Sequence, residues 1–309
     1  MTSSHPSSAR SSGVALSLVS PAGRDPATSD PSSTARDVVL DVAAATAPRR
    51  SRLRLTGALL LGAVVLFALL GPWLVAYDPA AQDLDRFLEP PGAIHLLGAD
   101  HLGRSMLARL AHAAQLSLAL AVLSVLSAAL PGVALGMLAA WRGGWTERLC
   151  GVLTDSVLAL PGLLLVLLLA AFAPGAFWPL YVGLSLTFWV EYFRVVRAST
   201  RSLLASPQVE ASRLLGFGPL YIVRRHLWPE IAPLVATLMS FGAASAVLAM
   251  AALGFVGVGI RPPTPELGVM MTELLPYYQE APWLIASPVV LLAVTVLGLA
   301  LVTGTEARR

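Results

Sequence analysis

Residues 206–229 read SPQVEASRLLGFGPLYIVRRHLWP, and this stretch decides how the rest of the chain is organised. Ser206 is a good N-cap, because its hydroxyl can accept from an N–H that the first helical turn leaves unpaired. Pro207 suits the first helical position, where no N–H is needed. Val209 to Leu215 can then be helical, and Gly216 suits a stop in the left-handed region. Gly218–Pro219 restarts a second helix, Leu220 to Leu227, and Pro229 ends it. The expectation is two short helices joined by a tight glycine turn. Small Ala211 and Ser212 suit the pair to a groove on another protein, with Leu214, Leu215, Ile222 and Val223 supplying apolar contacts. A plain interfacial linker is the other reading of the same residues.

On both sides of this polar segment the chain is strongly apolar. Of 309 residues, 56% are hydrophobic and 13% are charged, against about 25% charged in an ordinary soluble domain. A soluble fold could not hide that much apolar surface, so the composition points to a membrane protein. Apolar runs place spans at about 55–77, 116–140, 149–173, 177–196, 231–260 and 283–302. Arg49, Arg50, Arg52 and Arg54 precede the first. Arg142 and Arg148 flank the turn between the second and third. Arg194, Arg197 and Arg201 end the fourth, Arg213, Arg224 and Arg225 lie in residues 206–229, and Arg308 and Arg309 close the chain. Because arginine is retained on the cytoplasmic side, six spans with both termini inside are expected. The loop 78–109 with Pro79, Pro90 and Pro91, the turn Pro174–Gly175 and the proline-rich, acidic stretch through Pro282 fall outside.

Residues 1–50 are rich in Ser, Ala, Pro and Thr and contain no apolar stretch of signal-peptide quality, so a disordered cytoplasmic tail is expected there. Residues 51–309 then form the membrane domain. All 21 basic residues are arginine. A phosphate-binding P-loop needs its lysine, so this chain does not bind ATP in that way. The pI near 9.4 is accounted for by arginines beside apolar spans, which speaks against nucleic acid. Cys150 is the single cysteine, read as a small buried residue; no intrachain disulfide or cysteine metal cluster follows from it. Ala128, Gly132, Gly136 and Ala140 form a ridge of small residues suited to close helix contact. Pro131, Pro161 and Pro288 lie inside spans as candidate kinks.

His95, His101 and His112 are too few for a metal site without further ligands, and the first two are candidate contacts to substrate or to an outside protein. Asp155 and Glu191 lie in or beside apolar runs, where an acid is a candidate for proton or ion coupling. Pairing of Glu191 with Arg194 at helix-neighbour spacing, and of Asp155 with Arg148, is the favoured reading. No Ser–His–Asp or paired-carboxylate grouping stands out, so bond chemistry is not expected.

Residues 206–229 resemble the EAA motif of permease subunits of bacterial binding-protein-dependent ABC importers. Glu210, Ala211, Ser212, Gly216 and Pro229 fall at the matching spacing. Ser212 replaces the second alanine, Trp228 a leucine and His226 an apolar residue. Two further segments are similar to the dipeptide, oligopeptide and nickel branch. Leu97-Gly98-Ala99-Asp100-His101-Leu102-Gly103-Arg104-Ser105 precedes the second span, with Ala99 and Ser105 departing from Thr and Asp. Leu253-Gly254-Phe255-Val256-Gly257-Val258-Gly259 is followed by Pro262-Pro263-Thr264-Pro265 and Gly268, with Gly254 and Leu267 departing from Ser and Trp. The similarity runs in order from about Leu55 to Val302. The family continues past its last span with a short charged tail, whereas this chain ends at Arg309.

The resemblance implies an all-α membrane protein of six transmembrane helices with a cytoplasmic coupling-helix hairpin between spans four and five. It implies a second, related permease subunit, two ATP-binding subunits, an external substrate-binding protein and membrane lipid as partners, with alternating access driven by ATP hydrolysis elsewhere. No cofactor or metal is implied. Peptides are the commoner cargo of the branch, and nickel or a metal chelate is the second. Ser245, Met250 and Phe255 are candidate pore-lining residues from their place in the fifth span. A proton-coupled secondary transporter, or a membrane scaffold, is the alternative that dispenses with ATP.

Overall fold

The computed structural model describes residues 31–75 and 77–303, with side chains from residue 53 onward apart from residue 76. Among these residues there is no strand, only isolated bridges between Ala99 and Ser105 and between Gly175 and Ile260. The long helices are α1 (Pro31–Leu74), α2 (Met106–Arg142), α5 (Phe177–Leu204), α8 (Trp228–Phe255) and α10 (Pro282–Thr303). The shorter ones are α3 (Gly144–Leu158), α4 (Gly162–Phe172), α6 (Pro207–Leu214), α7 (Pro219–Ile222) and α9 (Leu267–Leu274). Of the tail expected over residues 1–50, residues 1–30 lie outside the described residues, and residues 31–50 fall within α1. The closing arginines, Arg308 and Arg309, also lie outside. Residues from Arg50 onward form one compact unit.

Four helices are long and apolar enough to cross a membrane: Leu53–Leu74 of α1, α2, the run Pro219–Phe255, and α10. The bent pair α3–α4 makes a fifth if counted as one span. The single span expected at 149–173 is therefore broken. Its two halves meet at 76°, because Pro161 has no N–H for the helical ladder and disfavours helix at Leu160 before it. Pro131 and Pro288, by contrast, lie inside unbroken helices. The span expected at 116–140 begins ten residues earlier, at Met106, so its first turns take up residues that the expected loop 78–109 and the stretch after it had left outside the span. Helix α5 covers the fourth expected span with 28 residues. Trp178, Tyr181, Trp189, Glu191 and Arg194 leave it less apolar than the others.

In lipid, helices gain nothing by hiding apolar surface from water, so close packing and satisfied polar groups must hold the bundle. The small ridge of α2 does this. A β-carbon at Gly132 would stand 2.7 Å from Cβ of Tyr192, and one at Gly136 would stand 2.9 Å from the Phe193 carbonyl, so the two backbones nearly touch. Leu120, Val125, Val166, Leu184, Phe188, Val247 and Met250 fill the centre between α2, α4, α5 and α8. A second cluster closes the end where α2 begins, with Met106 and Leu110 against Leu267, Met270, Leu274 and Leu284. A third closes the opposite end, with Val133, Val196, Val209, Ile222, Leu227, Ile231 and Val235. This last cluster seats residues 206–229 on the bundle.

Candidate functional site

The first half of the 206–229 segment folds as the sequence reads. Pro207 opens α6, and Ser206 is extended at φ −75°, ψ 146°, although its hydroxyl makes no capping bond. Gly216 has φ +80°. The Phe217 N–H donates to the Ser212 carbonyl and the Gly216 N–H to that of Arg213. These two bonds are a Schellman turn, which satisfies carbonyls that a helix end leaves open.

The second half departs from expectation. Leu220 to Leu227 is not a free-standing helix ended by Pro229. Helix α7 passes into a π turn at Val223–Leu227 and then directly into α8, with Pro229 in the first turn of α8. The Trp228 N–H reaches back to the Val223 carbonyl. Widening the helix just before Pro229 makes room for a ring that would otherwise collide with a carbonyl one turn earlier. The hairpin's second arm is thus a continuation of the long helix behind it.

Two residues that depart from the family pattern bond to each other. The Ser212 hydroxyl lies 2.9 Å from Nε2 of His226, and it also donates to the Gln208 carbonyl. This contact pins α6 to the π turn. Phe217 stacks on Tyr221 at 4.3 Å, and the Arg213 guanidinium lies over Trp141 at the end of α2. Val209, Ile222 and Leu227 are buried beneath. The outer face is bare: Leu214, Leu215 and Leu220 are each at least three-quarters exposed. Glu210 and Ala211 are exposed beside them, and Glu210 has no ion-pair partner among the described residues. The segment is a rigid, apolar-tipped knob carrying one unpaired carboxylate.

At the other end of the bundle lies a site that sequence reading missed. Asp100, Arg104 and Arg109 are fully buried. The Arg104 Nε donates to Asp100 Oδ2 at 2.7 Å, Arg109 donates to the same oxygen, and both arginines reach Glu273 of α9. Asp100 Oδ1 accepts from the N–H groups of Leu102 and Arg104. Burial alone would raise the Asp100 pKa, but the Arg109 and Arg104 charges and these N–H donors outweigh it and hold the carboxyl below its ordinary value. The spacing Asp100–Arg104 was a visible signal. The partner Glu273 was not, because it lies 169 residues from Arg104. Gly103 has φ +71°, and a β-carbon there would collide with the Asp83 carbonyl. Ser105, where the family has Asp, caps α2 through Ala108 N–H, a task either residue performs.

Glu266, also buried, caps α9 by accepting from the Val269 N–H at 2.9 Å. Burial raises its pKa, partly offset by the backbone N–H groups of Gly268, Val269 and Leu267. A β-carbon at Gly254 would stand 2.0 Å from its carboxylate oxygen, so the glycine that departs from the family's serine makes room for this side chain.

The remaining candidates are scattered. Met250 is buried in the central cluster, whereas Ser245 and Phe255 are exposed on α8. His95 is buried under Tyr77, His101 stacks on Tyr277, and His112 bonds its own helix at the Ala108 carbonyl. Among the described residues no grouping of His, Cys, Asp and Glu is fit to hold a metal ion. Cys150 is half-buried. The expected Glu191–Arg194 and Asp155–Arg148 pairs do not form: all four lie on open faces, and neither acid has an ion partner among the described residues.

The family described as binding-protein-dependent transport system inner membrane component matches residues 132–305, and the N-terminal TM domain of oligopeptide transport permease C matches residues 49–91. The chain is 38% identical over 254 residues to the di/tripeptide transport system permease protein DppC of Pseudomonas aeruginosa (strain UCBPP-PA14), covering 79% of this chain and 83% of that protein. It is 30% identical over 247 residues to the dipeptide transport system permease protein DppC of Haemophilus influenzae, covering 78% and 83%. Among solved structures, an inward-facing MetNI methionine ABC transporter is similar at 23% identity and a TM-score of 0.47, covering 62% of this chain and 90% of that one.

Proposed function

The chain belongs to the family of binding-protein-dependent transport system inner membrane components, and on that premise we propose that it is one permease subunit of an ATP-driven peptide importer. Peptide cargo follows the names of the relatives, which are di/tripeptide and dipeptide permeases. The six crossings are α1, α2, the bent pair α3–α4, α5, α8 and α10. Both termini and residues 206–229 face the cytosol. The arginine distribution supports this orientation. Arg142, Arg148, Arg197, Arg201, Arg213, Arg224 and Arg225 gather at the hairpin end, while at the other end Arg104 and Arg109 are neutralised by Asp100 and Glu273 and Arg86 by Asp83 and Glu89, which leaves Arg261.

The observation that carries the coupling role is the hairpin itself. A lever that transmits force must be stiff and must be joined to what it moves. The Schellman turn, the Ser212–His226 bond and the apolar seat supply stiffness. The π turn supplies the join, because α7 runs on into α8 without a loop. The bare leucines and Glu210 enter a cleft of an ATP-binding subunit, where the carboxylate meets a basic group. Closure of two such subunits pulls the hairpins together and turns α8, opening the passage outward to peptide delivered by the external binding protein. Hydrolysis then resets it inward. A second permease subunit forms the other half of the passage, with Ser245 and Phe255 facing it and Met250 bracing α8 from behind. The chain itself makes and breaks no bonds.

The test is Glu210→Ala and Gly216→Val in the whole complex reconstituted in proteoliposomes. Both variants are expected to lose peptide uptake and binding-protein-stimulated ATP hydrolysis. Full uptake with normal subunit assembly in both would rule the coupling role out.

A further inference from the structure

We propose that the α5 stripe Thr187, Glu191, Arg194 and Ala198, bared beneath the α3–α4 elbow, is a wall of the passage at which Glu191 and Arg194 contact the charged termini of the peptide. This rests on the peptide reading above and names the residues that meet the cargo.

The four residues are spaced four, three and four apart and so share one face of a helix. From Thr187 toward the α5 N-terminus α4 covers this side, since a β-carbon at Gly162 would touch the Thr187 methyl at 2.7 Å and one at Gly183 would touch Val166 at 3.0 Å, so Thr187 stands at the rim of the bared stretch. At Pro161 the chain swings away by 76°. What it uncovers is a groove of about 830 Å³ lined by the four stripe residues with Leu158, Leu234 and Arg197, whose guanidinium is already paired with Glu147.

Glu191 and Arg194 are exposed in this groove and make no hydrogen bond or ion pair among the described residues. They lie toward the hairpin end of α5, beside Leu234 of α8, where water can reach them, whereas an unpaired charge facing hydrocarbon would be costly. A dry interface with another subunit would be costly unless that subunit supplied a counter-charge to each of them. A water-filled passage has neither cost. Its volume falls within the usual range for small-ligand sites, about 300–1,000 Å³. The two charges are opposite in sign and about 4.5 Å apart along the helix. A dipeptide also carries one charge of each sign, about 7 Å apart when extended. Glu191 takes the amino terminus and Arg194 the carboxylate. Side chains between the termini are left to the apolar lining, which suits a carrier of mixed sequences.

The experiment uses the complete transporter in proteoliposomes with a zwitterionic dipeptide, in a Cys150→Ser background. Thr187→Cys and Ala198→Cys leave both charges in place. They are expected to react with a membrane-impermeant cationic thiosulfonate, and saturating dipeptide with the binding protein should slow that reaction. Glu191→Gln and Arg194→Gln should each lower dipeptide uptake per ATP hydrolysed by about tenfold, the usual cost of one charged contact, with stimulated ATP hydrolysis retained. Cysteines that stay unreactive in the active complex would place the stripe against another subunit and overturn the proposal. So would full coupling in both charge variants. If the unaltered complex hydrolyses ATP but carries no dipeptide, the cargo reading falls, and the assignment of the two charges to peptide termini falls with it. Loss of ATP hydrolysis on Glu210 and Gly216 substitution is scored separately and reports only on the hairpin.

Discussion

Nothing lies within 4 Å of where a β-carbon on Gly216 would stand, so a substitution there is a question of backbone strain alone. An ordinary L-residue at φ +80° costs roughly 1–2 kcal/mol, and asparagine tolerates the region better. Gly216→Asn is therefore expected to keep most of the peptide uptake that Gly216→Val loses, measured in vesicles carrying equal amounts of protein. The sequence disclosed this glycine because a helix stop has a local chemical signature. Glu266 shows the opposite case, since a carboxyl that follows a proline-rich stretch gives no hint that it will be buried. Its raised pKa means the folded chain holds the proton more tightly than the unfolded one. Its contribution to stability is then greatest at low pH and declines as pH rises from the ordinary 4.5 toward the folded value. Glu266→Gln keeps an oxygen for the Val269 N–H and removes the charge. It should flatten that decline in thermal melts of the detergent-solubilised protein taken from pH 4.5 upward, whereas an unchanged profile would place the titration elsewhere. Asp100 runs the other way: its contribution is complete above 3.8 and is lost as pH falls below it toward the lowered folded value.

Among elements, the loop before α2 and helix α9 are held together by charge and not by sequence proximity. Asp100 accepts from both Arg104 and Arg109, and each arginine also reaches Glu273. Removing one member of a buried ionic set leaves its partners uncompensated, at a cost of about 3–5 kcal/mol. Asp100→Ala should lower the melting temperature markedly. Adding Glu273→Ala to it should cost more than the sum of the two single changes, because each acid is the remaining counter-charge of the same two arginines once the other is gone. Strict additivity in that cycle would deny the coupling. Half of this network was legible, since Asp100 and Arg104 sit four residues apart in a motif. Its other half was hidden, because nothing local ties Glu273 to residues more than 160 positions away. The same limit applied to the hairpin. Its Schellman turn could be read from Gly216, but the seat made by Val133 and Val196 could not. Pro229 misled, because proline's usual effect is to end a helix. Here a π turn absorbs it, and the strain is met by widening the helix instead of stopping it.

At the scale of the molecule, hydropathy located the helices well because lipid demands long apolar runs, whereas bends and interhelical contacts depend on shape. Pro161 was visible, but that it turns the chain through 76° while Pro131 leaves α2 unbroken depends on what packs around each. Orientation is the property on which the ATP-driven reading stands, and two exposed leucines test it. Leu214 is 85% exposed at the hairpin tip, and Leu84 is 68% exposed in the loop between α1 and α2. The arginine distribution assigns them to opposite sides. In a Cys150→Ser background, Leu214→Cys should react with an impermeant maleimide in inverted vesicles and not in right-side-out ones, while Leu84→Cys should show the reverse. Adding the ATP-binding subunits should shield Leu214→Cys and leave Leu84→Cys unchanged if the hairpin is where they dock, as proposed. Labelling of Leu214→Cys from the outside would put the knob beyond the reach of any cytosolic motor. Helix α8 would then have nothing to turn it, however well the hairpin is joined to it.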